Sequence, residues 1–444
     1  MMKIIIIGGT SAGTSAAAKA NRLNKKLDIT IYEKTNIVSF GTCGLPYFVG
    51  GFFDNPNTMI SRTQEEFEKT GISVKTNHEV IKVDAKNNTI VIKNQKTGTI
   101  FNNTYDQLMI ATGAKPIIPP INNINLENFH TLKNLEDGQK IKKLMDREEI
   151  KNIVIIGGGY IGIEMVEAAK NKRKSVRLIQ LDKHILIDSF DEEIVTIMEE
   201  ELTKKGVNLH TNEFVKSLIG GKKAEGVVTN KNTYQADAVI LATGIKPDTE
   251  FLENQLKTTK NGAIIVNEYG ETSIKNIFSA GDCATIYNIV SKKNEYIPLA
   301  TTANKLGRIV GENLAGNHTA FKGTLGSASI KILSLEAART GLTEKDAKKL
   351  QIKYKTIFVK DKNHTNYYPG QEDLYIKLIY EENTKIILGA QAIGKNGAVI
   401  RIHALSIAIY SKLTTKELGM MDFSYSPPFS RTWDILNIAG NAAK

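Results

Sequence analysis

An α/β fold with two separate nucleotide-binding units, the second inserted in the first, and a C-terminal α+β domain is the class that this sequence predicts. Three observations predict it. A Gly-rich turn between a buried-strand pattern and a helical pattern occurs twice, at residues 8–13 and 157–162. Each occurrence is closed by the same kind of strand and small-residue turn, Leu108-Met109-Ile110-Ala111-Thr112-Gly113 and Val239-Ile240-Leu241-Ala242-Thr243-Gly244, with Pro116 and Pro247 soon after. From about Gly326 the pattern changes to strand-length apolar runs and one late helix.

The first unit opens with a strand over Lys3–Ile7, a continuous apolar run of the kind buried on both faces of a parallel sheet. An alanine-rich helix follows to about Asn24, then a strand over Asp28–Tyr32 that ends in Glu33. The second unit repeats the scheme with strand Asn152–Ile156, a helix to about Lys172, and strand Ser175–Ile179 ending in Gln180. Two Rossmann-like βαβ units imply two nucleotides. Asn276-Ile277-Phe278-Ser279-Ala280 is a further short strand running into the turn Gly281-Asp282, and it resumes the first unit, so the second is an insertion. The expected boundaries are 1–116 and 249–325 for the first unit, 117–248 for the second and 326–444 for the last domain. Strands are expected there over 354–359, 374–380 and 386–392, and a helix around 398–411. At about 100–200 residues per domain, 444 residues suffice for three.

Hydrophobic content of 41% and charged content of 24% are those of an ordinary soluble chain, and no apolar run approaches the ~20 residues that span a bilayer. The apolar start is too short for a secretory signal and flows into a Gly-rich turn, and two cysteines suit a reducing compartment, so a cytoplasmic protein is expected. The net charge of +11 comes from lysines scattered among acids, as in Lys140-Ile141-Lys142-Lys143-Leu144-Met145-Asp146-Arg147-Glu148-Glu149. No basic stripe interleaved with aromatics is present, which argues against nucleic acid as a partner. A positive surface does favour polyanionic small molecules such as dinucleotides. No metal is expected.

Gly157-Gly158-Gly159-Tyr160-Ile161-Gly162 is a complete G-x-G-x-x-G. Gly157, Gly159 and Gly162 permit a tight turn and close pyrophosphate approach at a helix N-terminus. In Gly8-Gly9-Thr10-Ser11-Ala12-Gly13 the middle glycine is replaced by Thr10, but Glu33 stands twenty residues past Gly13, where a carboxylate can accept both ribose hydroxyls. With Asp282 this points to FAD in the first unit. In the second, Gln180 is neutral and would not repel the 2′-phosphate of NADPH, yet no arginine attracts it; NADH is favoured, with NADPH open. Asp182 reads equally as a ribose contact or a solvated loop acid.

Cys43 stands in Ser39-Phe40-Gly41-Thr42-Cys43-Gly44-Leu45-Pro46-Tyr47, and the only other cysteine is Cys283. A C-x-x-C or C-x4-C redox pair is therefore absent, and any chemistry at Cys43 uses one protein sulfur. Residues 45–49 could begin a helix, whose N-terminus would lower the thiol pKa. Ser15, Lys19 and Arg22 fall on one face of the first helix at spacings of four and three. Of these, Arg22 can fork onto a phosphate, whereas Lys19 reads equally as a solvated helix charge.

The stretch around Cys43, the two nucleotide units, Ala280-Gly281-Asp282 and Tyr425-Ser426-Pro427-Pro428-Phe429 together resemble the coenzyme A-disulfide reductases. These are a single-cysteine branch of the FAD-dependent pyridine nucleotide-disulfide oxidoreductases. The resemblance covers essentially the whole chain and implies a homodimer that binds FAD and NAD(P)H and forms a mixed disulfide with coenzyme A. It makes Cys43 the nucleophile and redox-active sulfur. Tyr425, and Tyr367 in His364-Thr365-Asn366-Tyr367-Tyr368-Pro369-Gly370, match tyrosines that reach the active site from the partner subunit. A phenol can protonate the leaving CoA thiolate.

The resemblance further implies CoA contacts at Ser15, Lys19, Arg22, Ser39, Thr42 and Lys305. FAD contacts are implied at Gly8, Gly9, Ala12, Gly13, Ala111, Thr112, Gly113, Gly281, Asp282, Ala300 and Thr301. On the nicotinamide side Gly244 joins the Gly-rich turn, Tyr160 matches the ring that shields the flavin, and Glu164 matches the acid near it. One departure bears on chemistry: related NADH oxidases and peroxidases carry a histidine where this chain has Ser11, which disfavours peroxidase activity.

The expected cycle reduces CoA disulfide to two CoA thiols through a Cys43–S–S–CoA mixed disulfide. The alternatives are a water-forming NADH oxidase working through a Cys43 sulfenic acid, and a CoA-persulfide or polysulfide reductase. A redox-sensing interaction protein without turnover is a further rival, but the chain carries no docking tail or low-complexity segment.

Overall fold

Ile4, Ile5 and Ile6 have no exposed surface because Lys3–Ile7 is the middle strand of a five-stranded parallel sheet. Burial on both faces is the reason the run is apolar without alternation. Ile5 stands opposite Thr30 of Asp28–Tyr32 on one side and opposite Leu108 of Gln107–Ile110 on the other. Ser73–Lys75 extends one edge and Ile277–Ser279 the other. The computed structural model describes residues 1–444. This sheet lies in the first of two compact units, formed by Met1–Leu45, Phe53–Ile117 and Ile245–Thr324.

Helix Ser11–Leu23 buries an alanine face, Ala12, Ala16, Ala17 and Ala20, and helix Ala300–Leu314 packs on it. A Cβ on Gly307 would stand 2.5 Å from the Ala12 carbonyl oxygen, and one on Gly311 2.4 Å from that of Ala16. Only glycine allows the two backbones so close. Near contact of the helix axes brings their flanking polar residues together, and this sets Ser15, Lys19 and Arg22 beside Asn304, Lys305 and Arg308.

The second unit comprises Pro46–Phe52, Ile118–Gly244 and Leu325–Lys444. It holds a second five-stranded parallel sheet, in the order Val207–His210, Ser175–Ile179, Asn152–Ile156, Ala238–Leu241, Phe129–Thr131. Ile155 pairs with Leu178 on one side and Ile240 on the other. A three-stranded antiparallel sheet, Val215–Ile219, Gly226–Thr229 and Thr233–Gln235, follows the same unit.

A further sheet of this unit is five-stranded and antiparallel, in the order Ala328–Ile332, Leu335–Gly341, Ile387–Gly394, Asp373–Glu381, Tyr354–Lys362, with helix Ala398–Tyr410 against it. The edge strand Tyr354–Lys362 runs past the expected 354–359. Its end alternates charged and half-buried residues and carries Lys360 and Lys362, paired with Asp373, so it does not look apolar. No helix is long and apolar enough to cross a membrane, and no group of three or more His, Cys, Asp or Glu side chains is placed to hold a metal ion.

Candidate active site

The glycines of the two turns have separate physical reasons. Gly8 has φ +105° and Gly157 φ +104°; a Cβ on either would collide with the carbonyl oxygen of Ala111 at 2.2 Å or Ala242 at 2.4 Å. A Cβ on Gly13 would lie 2.0 Å from the Gly8 oxygen and one on Gly162 1.9 Å from that of Gly157. Gly159 is different: a Cβ there meets nothing within 4 Å. It caps helix Tyr160–Asn171 without a side-chain bond, as Thr10 does for Ser11–Leu23, and neither helix carries an acid in its first turn. Helices elsewhere, such as those capped by Thr63 and Asn134, complete their own capping boxes. The capping residues of Ala300–Leu314 and Ala398–Tyr410 make no side-chain bond either, but the two N-termini that stand behind Gly-rich turns keep donors and positive dipole ends where an anion can approach closely, so both turns fit a dinucleotide pyrophosphate.

The acid at the end of the second strand is held in place. Glu33 is buried; one carboxylate oxygen accepts from the Gly9 amide and the other from the Thr35 amide, each at 2.8 Å. The second unit copies this with an amide: Gln180 Oε1 accepts from the Gly158 N–H at 2.7 Å, while its Nε2 donates to Asp182 Oδ2 at 2.9 Å.

Around the first turn, Ala111 is buried and Thr112 Oγ1 donates to the Asp248 carbonyl at 2.7 Å. Gly113, Gly244 and Gly281 all have positive φ, and Ala12 lies 3.1 Å from where a Gly281 Cβ would be. Asp282 is half-buried; Ala300 and Thr301 are exposed at the start of their helix. The Tyr296 hydroxyl is buried without a partner, and burial, with the Asp282 carboxylate adding to it, pushes its phenol up.

In the second unit the Tyr160 hydroxyl and Glu167 Oε2 are likewise buried without partners. Burial, reinforced by the Glu167 charge, pushes the Glu164 carboxyl up to about 7. A raised carboxyl penalises the folded state once it ionises, so the penalty is absent below about pH 4.5 and complete above about 7. Glu164→Gln is therefore expected to stabilise the protein at pH 8.5, by up to about 3 kcal/mol, and to gain almost nothing at pH 4.5. Thermal unfolding at the two pH values reads this, and an equal gain at both would show that the charge is not the cause.

Cys43 is exposed, in a 3₁₀ turn over Thr42–Gly44 that is closed by the Gly44 amide on the Gly41 carbonyl at 3.0 Å. Helix Leu45–Gly50 follows directly. The preceding Ser39 takes a positive φ of 53°. Its amide donates to the Gly9 carbonyl at 2.7 Å and its carbonyl accepts from Ser61 at 3.0 Å, which ties the cysteine loop to the first Gly-rich turn. Cys283 is the opposite kind of thiol: fully buried, with burial pushing it up, and within 3.5 Å of Ser279 Oγ and the Ile110 carbonyl.

A surface groove of about 360 Å³ is lined by Ser15, Lys19, Arg22, Asn304, Lys305 and Arg308. It shares Ser15, Ala18 and Asn304 with a second hollow of about 250 Å³ that runs to Ser39, Phe40 and Gly41, at the foot of the cysteine turn. Four of the six residues expected to touch substrate thus meet along this groove, Ser39 joins at its far end, and Thr42 lines neither part. Lys19 is neither a solvated charge nor an uncommitted one, since it pairs with Glu312 at 3.1 Å. Ser15 donates to Asn304 at 2.7 Å. Asn304, Arg308 and Arg62 of the lining escaped the sequence reading; the four-residue spacing of Asn304 and Arg308 around Lys305 was the available signal.

Tyr367 and Tyr425 belong to the second unit, and their hydroxyls are 2.7 Å apart. Both are exposed, and the bond to Tyr367 pushes the Tyr425 phenol up. Tyr368 lies edge-on to His364. The two tyrosine loops are fastened together from behind: Arg401 pairs with Asp434 at 2.6 Å and donates to the Asn363 carbonyl, and Thr365 donates to the Pro427 carbonyl.

Residues 2–307 match the family of pyridine nucleotide-disulphide oxidoreductases, and residues 327–435 match the dimerisation domain of that family. The chain is similar to the NAD(P)H coenzyme A polysulfide/persulfide reductase of Pyrococcus horikoshii, 38% identical over 445 residues that cover 100% of this chain and 98% of that protein. It is 32% identical to the coenzyme A disulfide reductase of Staphylococcus aureus over 449 residues, with 100% of each covered. The solved structure of the water-forming NADH oxidase of Lactobacillus brevis bound to NADH matches with a TM-score of 0.95 at 30% identity, over 100% of this chain and 98% of that one.

Proposed function

The chain belongs to the pyridine nucleotide-disulphide oxidoreductase family, as an NAD(P)H-dependent flavin oxidoreductase, and from that premise we propose that it reduces coenzyme A disulfide to two CoA thiols with Cys43 as the nucleophile. The observation that carries the reading is the groove with Arg22, Lys305 and Arg308 along it, which continues to the loop of an exposed cysteine. Phosphates on one end of a ligand and sulfur on the other are the chemistry such a groove fits. Reduction of dioxygen would leave its cations without a task.

Bound FAD supplies a two-electron store that a nicotinamide fills and a disulfide drains. The chain's own residues do the rest. The uncapped helices at Gly8–Gly13 and Gly157–Gly162 receive the two pyrophosphates, and Glu33 orients the first turn. Cys43, as thiolate, attacks one sulfur of CoA disulfide; the Cys43–S–S–CoA bond forms, the CoA–CoA disulfide breaks, and one CoA thiolate leaves. The hydrogen-bonded pair Tyr367 and Tyr425, presented by the other subunit of a homodimer, donates the proton to that thiolate. An electron pair from NAD(P)H and a second proton then release the second CoA thiol and return Cys43 to the thiolate.

The identity to a CoA persulfide reductase favours one second reading, in which the same cysteine and groove act on CoA persulfide and release sulfide. Protein purified without reductant is expected to carry a CoA adduct on Cys43 in its intact mass. Anaerobic turnover with NADH, together with oxygen uptake measured under air without a CoA acceptor, then separates the acceptors. Two thiols per nicotinamide from CoA disulfide supports the main reading, faster turnover of CoA persulfide with sulfide release replaces it by the second, and oxygen consumption with neither CoA species reduced overturns both.

A further inference from the structure

A carboxylate two residues beyond the strand-end position is tied to the second Gly-rich turn through a neutral side chain. In the first unit the strand-end acid, Glu33, itself accepts from the turn amide of Gly9. In the second unit that bond is made by Gln180, a neutral side chain, whose other end grips Asp182. The backbone around them is clamped as well. The Gln180 amide donates to the His210 carbonyl at 2.8 Å, the Glu213 amide donates to the Gln180 carbonyl at 3.0 Å, and the Asn212 amide donates to the Asp182 carbonyl at 3.0 Å. Asn212 takes a left-handed φ of 51° to do so.

We propose that Asp182, held by Gln180, which also bonds the second Gly-rich turn, is the specificity-determining acid that makes this site select NADH over NADPH, with Gln180 as its positioning residue. The physical ground is charge: a fixed carboxylate at the ribose end of a dinucleotide site accepts from hydroxyls and repels a 2′-phosphate. The cations nearby do not offset it. Lys345, near enough to feel the Asp182 charge, is paired with Asp188 at 2.5 Å, and Lys183 with Glu192 at 2.7 Å. No arginine follows Gln180 in the segment that leads to the next helix, residues 181–191.

This inference rests on the family assignment and not on the acceptor proposed above, and a binding measurement without any acceptor keeps the two apart. Dissociation constants of NAD⁺ and NADP⁺ for the FAD-loaded protein are to be measured by calorimetry. The parent is expected to bind NAD⁺ at least tenfold more tightly. Asp182→Asn, which keeps the bond to Gln180 and removes only the charge, is expected to shift the ratio toward NADP⁺ at least fivefold. Gln180→Leu, which frees Asp182, is expected to shift it the same way by a smaller factor. The parent's ratio is expected to shrink as salt is raised, and that of Asp182→Asn to stay level, a response that a merely structural role would not give. A parent that binds both dinucleotides equally, or an Asp182→Asn ratio within twofold of the parent's, overturns the proposal.

Discussion

Replacing Cys43 by serine is expected to lower turnover of coenzyme A disulfide by at least about a thousandfold, the scale on which deleting a nucleophile acts. Thiolate attack on a disulfide exchanges one S–S bond for another, so little bond energy is at stake. An alkoxide would have to make an S–O bond instead, and serine ionises far less than cysteine at neutral pH. The site also makes a sharp internal control possible. Cys283 is fully buried, and burial holds it toward the neutral thiol, so Cys283→Ser is expected to keep the bulk of the activity. Both variants are expected to bind NAD⁺ as the parent does, because neither thiol lies in the second unit. Anaerobic assays with NADH and CoA disulfide check the pair. Parent-like turnover by Cys43→Ser, or loss of activity in Cys283→Ser alone, would remove the single-cysteine mechanism altogether.

What could be read from the sequence, and what could not, divides along a physical line. Strands buried on both faces announce themselves as apolar runs, and Lys3–Ile7, Asp28–Tyr32, Asn152–Ile156 and Ser175–Ile179 fall where such runs predict. The Gly-rich turns are equally legible, since backbone collisions with Ala111 and Ala242 leave glycine no substitute. One face of one helix is legible too, and Ser15, Lys19 and Arg22 do share a groove. Facing residues from distant segments are not. Nothing local to Asn304 or Arg308 says that Gly307 and Gly311 bring their helix against Ala12 and Ala16. Nothing local to Asp182 says that Gln180 reaches back to Gly158 and forward to the acid, since an exposed loop carboxylate looks the same with or without such a tie.

Lys377 is the strongest case of this kind, and it leads to the second large effect. In Leu374-Tyr375-Ile376-Lys377-Leu378 the alternation predicts a lysine pointing to solvent, yet the side chain is fully buried. Asp191 at 3.4 Å, Glu193 at 2.7 Å and Glu344 surround its ammonium, and Gln391 bonds to Asp191 as well. Two of these acids come from the start of helix Glu192–Lys204 and the third from helix Glu344–Lys349, so one cation fastens three segments. Taking one partner from a buried ion cluster leaves the others uncompensated, and Lys377→Met is expected to cost about 3–5 kcal/mol at pH 8. The sign with pH follows from the acids. Burial already raises Asp191 above the usual carboxylate range, whereas Glu344, which burial also pushes up, is held below that range by its bonds to Lys377 and Tyr354; without the lysine both acids would rise. Acids so raised take up protons as the pH falls toward 5, and the neutral forms no longer need a counter-charge, so the deficit of the variant shrinks there. Adding Asp191→Asn and Glu344→Gln to Lys377→Met is expected to recover at least half of the loss at pH 8. Unfolding temperatures of the parent, single and triple variants at pH 5 and 8 measure all of this. A lysine that merely fills space would give the same loss at both pH values and no recovery in the triple variant, and that result would strip the cluster of its electrostatic role.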